Sequence, residues 1–136
     1  MIIHDEILIF HALRHRDDQL IVEGLARNHG RISFVVRISH APRAKIRHTI
    51  FQPMAVLEVE WEEKPRAKLM RPISARVAQP WRSLHTSPIK ATLTLFLAEF
   101  LMQVCRHEQS GELFFDYLLH SLTWLDTAEE GYANFH

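Results

Sequence analysis

The chain has 136 residues, of which 47% are hydrophobic and 24% are charged, and its sixteen basic residues are balanced by sixteen acidic ones. This composition is typical of a soluble globular protein and excludes a disordered or fibrous chain. No stretch approaches the roughly 18 apolar residues of a membrane span, and charged or polar residues at positions 4–6 interrupt the place of a signal peptide, so a cytoplasmic protein is predicted. Cys105 is the only cysteine, which excludes an internal disulfide and a cysteine-based zinc site.

The net charge of zero divides into two opposite halves along the chain. Residues 1–82 contain fourteen Lys and Arg against nine Asp and Glu, for a net charge of +5. Residues 83–136 contain two basic residues against seven acidic ones, for a net charge of −5. A basic segment joined to an acidic one indicates two parts with different partners.

Before Pro80, short apolar segments rich in β-branched residues alternate with turn signals, which is the pattern of a small all-β domain. The turn residues Asn28-His29-Gly30 favour a hairpin, because they tolerate positive φ. Five short antiparallel strands in about 80 residues fit a small closed or nearly closed barrel, since closure removes exposed strand edges. The five predicted strands are Glu6–Leu13, Gln19–Ala26, Arg31–Ile38, Gln52–Trp61 and a segment near Arg66–Val77.

After Trp81 the apolar period changes from two to 3.6, which predicts an α-helical region over residues 81–136 following a barrel over residues 1–80. Ser87-Pro88 is a typical helix start, and this first helix is predicted to end near Arg106-His107. Its predicted buried face consists of Ile89, Leu93, Phe96, Leu97, Phe100, Leu101 and Val104.

A second helix is predicted from Gly111-Glu112 to about Leu125. It is apolar most of the way round, which predicts burial on more than one side. Two helices cannot supply that environment by themselves, so we expect them to pack on the barrel or to need further protein. The further protein is either the rest of a longer chain, of which this sequence is a fragment, or a second copy in an oligomer.

No combination of residues predicts catalysis or metal binding. His11 and His15 are four residues apart but lie across a strand and its turn, so they do not share a helix face as zinc ligands do. Glu58 and Glu60 alternate outward from a strand and are interpreted as a solvated face. Cys105 lies on an apolar helix and is interpreted as structural. We therefore predict a protein that is not an enzyme and has no catalytic residue, no metal ligand and no cofactor in this chain.

A basic segment is the strongest functional signal. It covers 21 residues without any Asp or Glu, and such a run neutralises phosphates and releases counterions from nucleic acid. Barrels of the OB type bind single strands by combining a basic groove with exposed aromatic rings. Phe10, Phe51 and Trp61 are the candidate rings, although a core position is the favoured interpretation for each. The candidate DNA-binding residues are Arg27, Arg31, Arg37, Arg43, Lys45 and Arg47.

The order of several segments resembles the N-terminal domain of the RecO family of DNA repair and recombination proteins. The resemblance begins with Leu20-Ile21-Val22, continues through Arg27-Asn28-His29-Gly30-Arg31-Ile32 and the basic loop, and reaches Phe51-Gln52-Pro53 and Leu57-Glu58-Val59-Glu60. Farther along, Gln79-Pro80-Trp81 and Phe96-Leu97-Ala98-Glu99-Phe100-Leu101 are similar to the passage from barrel to helical domain in that family.

The resemblance implies a five-stranded OB barrel followed by the start of an α-helical domain, α+β overall. It also implies binding and annealing of single-stranded DNA, and help in loading RecA, together with RecR, onto DNA coated with single-strand-binding protein. The implied location is cytoplasmic, and nucleoid-associated when DNA is bound. By position, Arg31, Arg37, Arg43, Lys45 and Arg47 match the basic DNA-binding surface of the family.

Members of the family are usually longer than this chain. They carry further helices and often a cysteine zinc motif in the C-terminal part, and this sequence stops at His136 without either. The difference supports the expectation of a fragment. A second functional hypothesis remains open, namely a protein-interaction module that acts through the acidic helical half without direct DNA binding.

Overall fold

A computed structural model of the protein describes residues 1–64, 66–105 and 111–128. Five strands precede two helices, which confirms the predicted α+β class. A short 3-10 helix, His48–Ile50, lies between the third and fourth strands. The elements are β1 (Ile2–His15), β2 (Gln19–Ala26), β3 (Gly30–Arg37), β4 (Val56–Glu62), β5 (Pro72–Gln79), α1 (Pro88–Val104) and α2 (Glu112–Thr127).

Three strands differ from their predicted bounds by four residues or more, and β3 differs by one residue at each end. β1 begins four residues earlier than predicted, because its first half pairs with β4 from Ile2 opposite Glu62. β4 begins at Val56 and not at position 52, since Met54 has a φ of 64° and ends any extended segment there. β5 begins at Pro72 and not near position 66.

The sheet has the order β3-β2-β1-β4-β5, and every neighbouring pair is antiparallel. The segment just before β5 is hydrogen-bonded to β3, the strand at the opposite edge of the sheet. The Val35 N–H donates to the Met70 carbonyl at 2.9 Å, and the Met70 N–H donates to the Ser33 carbonyl at 3.0 Å. A parallel bridge between Phe34 and Met70 accompanies these bonds. The sheet therefore closes into a barrel, as the sequence predicts.

Two hydrophobic cores lie on opposite faces of β1. Ile7 and Ile9 belong to the core inside the barrel, whereas Leu8 and Phe10 belong to the core between the barrel and the helices. All four residues are at most 2% exposed. Phe51 and Trp61 lie in the barrel core, so the interpretation of all three candidate rings as core residues is confirmed.

Gly24 lies where the pairing of β1 with β2 shifts register, between Ile9 and His11. A Cβ atom at Gly24 would lie 2.7 Å from the Leu8 carbonyl oxygen and 2.9 Å from Ile7 Cγ2. We expect Gly24→Ala to lower the free energy of unfolding by about 2 kcal/mol, because backbone must move to admit the methyl group. Urea unfolding measures this loss. A matched control is Gly111→Ala, where the added Cβ meets nothing within 4 Å; equal losses in the two variants would contradict the expectation.

α1 begins as predicted, with Ser87 as its N-cap residue and Pro88 in the first turn. The predicted buried face is wrong for Ile89, Phe96, Phe100 and Val104, which are 49 to 76% exposed. The buried residues are Lys90, Thr94, Ala98 and Leu101, with Leu93 and Leu97 packed against the core they join. α1 carries apolar residues on all of its sides, so the spacing of these residues does not indicate which face of the helix is buried. The buried face is instead the one on which the Lys90 ammonium finds oxygen partners.

α2 buries Phe115, Leu118, Leu122 and Leu125 against the same core. The helices therefore pack on the barrel, which was one of the arrangements that the sequence left open. Leu113, Tyr117 and Trp124 are 51 to 87% exposed. The predicted end of the first helix at residues 106–107 lies outside the described residues. Over the described ranges, no helix has both the length and the apolar character needed to cross a membrane.

Candidate nucleic-acid interface

Arg27 joins the barrel to α2. Its guanidinium donates to Glu6 Oε1 at 3.2 Å and to Asp116 Oδ1, and its Cζ lies 4.4 Å from the centre of the Phe115 ring. The side chain is 16% exposed. Burial lowers the pKa of Arg27, but the hydrogen bond to Asp116 and the charge of Glu6 outweigh it and raise the pKa above its ordinary value. The guanidinium is therefore held in the seam between barrel and helix.

Arg31 occupies a similar position against α1. Its guanidinium donates to Glu23 Oε2 at 2.8 Å and to the Met102 carbonyl at 3.2 Å, and its Cζ lies 5.2 Å from the centre of the Phe10 ring. The side chain is 21% exposed. DNA contact by Arg27 and Arg31 stays a prediction, and the contacts that both residues make are with the protein itself.

The turn between Arg27 and Arg31 is hydrogen-bonded to a residue of β1. The buried carboxylate of Asp5 accepts hydrogen bonds from the Asn28 N–H at 2.8 Å and from Asn28 Nδ2 at 3.2 Å, and it lies 2.7 Å from His29 Nδ1. Gly30 completes the turn with a φ of 70°, as its sequence predicts. The turn between Arg27 and Arg31 is therefore fixed to β1.

The remaining candidates lie toward the other end of β3. Arg37 is six residues beyond Arg31, a distance of about 20 Å along an extended strand. Arg37 and Lys45 line one cavity of about 300 Å³ together with Arg71, which follows Met70 at the junction that closes the barrel. The closure therefore brings a residue from the segment between β4 and β5 next to residues from β3 and the basic loop.

A second cavity, of about 360 Å³, adjoins the first at Ser39, which lines both. Arg47, His40 and His48 contribute to its walls, and the two imidazole rings are in edge-to-face contact with their centres 5.4 Å apart. Arg43 is exposed in the loop between the two cavities. We call Arg37, Arg43, Lys45, Arg47 and Arg71 together the basic face.

All five side chains of the basic face belong to exposed residues. In the ranges 1–64, 66–105 and 111–128, the arginines paired with carboxylates are Arg27, Arg31 and Arg76, and the basic face has no member among them. Its positive charges are therefore available to phosphate. The turn between β1 and β2 borders this face, because Arg37 pairs with Gln19 and the Ile38 N–H donates to the Asp18 carbonyl at 2.7 Å.

Sequence reasoning missed Arg71 as a candidate. Arg71 is 26 residues beyond Lys45 and lies outside the uninterrupted basic segment. Arg71 lies beside Arg37 because Phe34 and Met70 form a parallel bridge. No local sequence pattern predicts this bridge. A sign in the sequence was nevertheless present, since Lys64, Arg66, Lys68 and Arg71 form a second basic cluster between the fourth and fifth strands.

We expect Arg27→Met to lower the free energy of unfolding by about 1.5 kcal/mol, because it removes the contacts with Asp116 and the Phe115 ring. Its effect on DNA affinity should stay below about twofold, since the guanidinium lies in the seam and not on the basic face. Chemical unfolding and fluorescence anisotropy measure the two quantities. Arg43→Gln is the control and should leave stability unchanged. A large loss of DNA affinity in Arg27→Met at unchanged stability would place this guanidinium on DNA.

A second polar junction fastens the segment after the barrel to the end of α2. The carboxylate of Asp126 is 6% exposed and accepts hydrogen bonds from three consecutive backbone N–H groups, those of residues 82–84, at 2.7 to 3.0 Å. Lys90 Nζ donates to Ser83 Oγ at 2.8 Å, to the Asp126 carbonyl at 3.1 Å and to the Ala128 carbonyl at 2.7 Å. These bonds fasten α1 both to the segment after the barrel and to the end of α2.

Cys105 is buried in the core between barrel and helices, which agrees with its interpretation as a structural residue. The described part of the chain contains no group of three or more His, Cys, Asp or Glu residues that could hold a metal ion. The basic face is thus the candidate functional site of the residues that the structure describes.

Comparison with known proteins identifies the family to which the chain is similar. The model of the family "Recombination protein O N terminal" matches residues 1–81. The chain is 37% identical over 129 residues to the DNA repair protein RecO of Bacteroides fragilis, covering 95% of this chain and 53% of that protein. It is 34% identical to RecO of Phocaeicola vulgatus over 129 residues, with 95% of this chain and 54% of that protein covered. With RecO of Christiangramia forsetii the identity is 32% over 137 residues, covering all of this chain and 57% of that protein.

The chain therefore spans about half the length of the relatives it matches. The family match covers all five strands and ends at Trp81, six residues before the N-cap of α1. The relatives continue the similarity through both helices. On this basis the chain belongs to the RecO family of DNA repair proteins.

Proposed function

We propose that the chain binds single-stranded DNA through its basic face and acts in recombinational DNA repair by binding rather than by catalysis. The observation that carries the proposal is the convergence of Arg37, Lys45 and Arg71 on one cavity, as exposed cations outside the carboxylate pairs of the described chain. Such cations displace the counterions of a phosphate backbone, which supplies affinity independent of sequence. Membership of the RecO family supports DNA as the ligand.

The finer role proposed for the whole protein is that of a recombination mediator. It anneals complementary single strands and, together with RecR, helps to load RecA onto DNA coated with single-strand-binding protein. The proposed location is the cytoplasm, with nucleoid association when DNA is bound. Support for a role in DNA repair comes from the relatives, whose names describe them as DNA repair proteins.

A salt titration tests DNA binding by the chain. Anisotropy of a fluorescein-labelled oligothymidylate should report binding at low salt that weakens as salt rises. Five phosphate contacts predict a log–log slope of about −3.5, since each contact on a single strand contributes roughly −0.7. Absence of binding at the lowest salt concentration, by folded protein, would refute the proposal.

A second candidate function is that of a protein-interaction module acting through the acidic helical half. The observation in its favour is the exposure of apolar side chains on both helices, among them Phe96, Phe100 and Tyr117 at 57 to 76%. This function predicts that a protein partner is captured while single-stranded DNA is not retained at low salt. The titration above separates the two candidates.

A further inference from the structure

The large aromatic rings of the barrel are used in packing. Residues 1–81 contain five Phe and Trp side chains and no Tyr. Phe10, Phe34, Phe51 and Trp61 are at most 5% exposed and lie in the two cores. Trp81 packs against the core between barrel and helices, and its Nε1–H donates to the Met54 carbonyl at 2.8 Å.

The basic face therefore differs from a surface that stacks bases on Phe, Tyr or Trp rings. In OB-type sites, successive bases lie on aromatic side chains while cations follow the backbone. Here the cations are present and the large rings are used for packing. The exposed rings in this region are imidazoles, those of His40 in the loop and His15 next to the turn that borders Arg37.

We propose that the basic face holds a nucleic-acid strand by its phosphodiester backbone alone and leaves the bases uncovered. This inference rests on the proposed function and adds its chemical specificity, namely a linear phosphodiester whatever its bases. Binding energy then comes from counterion release, which depends on the spacing of phosphates and not on base identity.

Uncovered bases have a direct consequence for annealing. A strand held through phosphates keeps its Watson–Crick edges free, so a complementary strand pairs with it while the protein remains bound. A protein that stacked each base on a ring would have to release the bases before pairing. Binding through the backbone therefore favours strand annealing on this surface.

Abasic DNA tests the inference on the full chain. Two fluorescein-labelled oligonucleotides of equal length are compared, one of thymidine and one in which tetrahydrofuran abasic residues replace every nucleoside. The expected result is a dissociation constant equal within about twofold and the same salt slope, because both strands carry the same phosphates. A loss of about tenfold or more on the abasic strand would overturn the inference, since that is the size of the effect of one lost base stack.

The two proposals fail in different ways in this experiment. Binding of neither strand refutes DNA binding itself, whereas binding of thymidine without binding of the abasic strand refutes only the backbone mode. Permanganate oxidation of the bound thymidine strand supplies a second readout. Thymines that stay as reactive as in free DNA support uncovered bases, and protected thymines contradict them. The double substitution Arg37→Gln with Lys45→Gln should weaken the binding of both oligonucleotides by the same factor.

Discussion

Replacement of Arg37, Arg43, Lys45 and Arg47 by Gln should weaken single-stranded DNA binding by roughly 100- to 1000-fold at about 0.1 M salt. Each residue is exposed and lies outside the carboxylate pairs of the described residues, so a phosphate can neutralise its charge without breaking an ion pair. Loss of four contacts should also flatten the log–log salt slope by about 3, since each contributes roughly 0.7. Anisotropy across a salt series measures both quantities.

A charge-matched control separates local contact from a change in net charge. Arg37→Gln with Lys45→Gln removes two charges from one cavity, whereas Lys64→Gln with Arg82→Gln removes two charges from exposed residues outside the basic face. The first pair should flatten the slope by about 1.4 and the second by much less. Equal effects would mean that binding senses the total charge of the chain, and the assignment of the site would be wrong.

Asp126→Ala should lower the free energy of unfolding by about 3 kcal/mol. The substitution leaves three backbone N–H groups, at residues 82–84, without the carboxylate that accepts from them. For a chain of this length the loss corresponds to a fall in melting temperature of about 10 °C. Thr127→Ala is the control in the same helical turn, because Thr127 is exposed and its hydroxyl donates to the Thr123 and Trp124 carbonyls of its own helix.

The effect of Asp126 should depend on pH. Burial raises the pKa of this carboxyl, but the hydrogen bonds from the three backbone N–H groups and the charge of Lys90 outweigh burial and lower the pKa below its ordinary value of 3.8. A lowered pKa in the folded state stabilises the protein fully above the ordinary value, and this stability is lost as pH falls through the folded value. The difference in free energy of unfolding between wild type and Asp126→Ala should therefore be constant near neutral pH and shrink below about pH 4. A difference that stayed constant into strong acid would contradict this role.

Local patterns in the sequence predict the elements of this fold well. Alternation of apolar residues places the strands, Gly30 marks the hairpin turn and Ser87-Pro88 marks the start of α1. These features act within a few residues, so a sequence displays them directly. The bounds of β1 and β4 were wrong where pairing with a distant strand, or the left-handed conformation of Met54, decided the outcome.

The site depends on contacts that no local pattern contains. Arg27 and Arg31 resemble their basic neighbours in sequence, but their partners Asp116 and Met102 lie 89 and 71 residues away. The buried face of α1 was mispredicted because Lys90 finds its oxygen partners near Ser83 and at the end of α2. Long-range polar contacts therefore decided which charges remain available and which helix face is covered.

Burial of β1 on both faces has a consequence for synthesis of the protein on the ribosome. Ile7–Phe10 is complete about a hundred residues before α2, which helps to cover the Leu8 and Phe10 side of the strand. At ordinary translation rates this interval is roughly 10 s, during which one face of an apolar strand lacks part of its cover. We therefore expect nascent chains that end before α2 to engage a holding chaperone through this segment, and to release it once the second helix has been made.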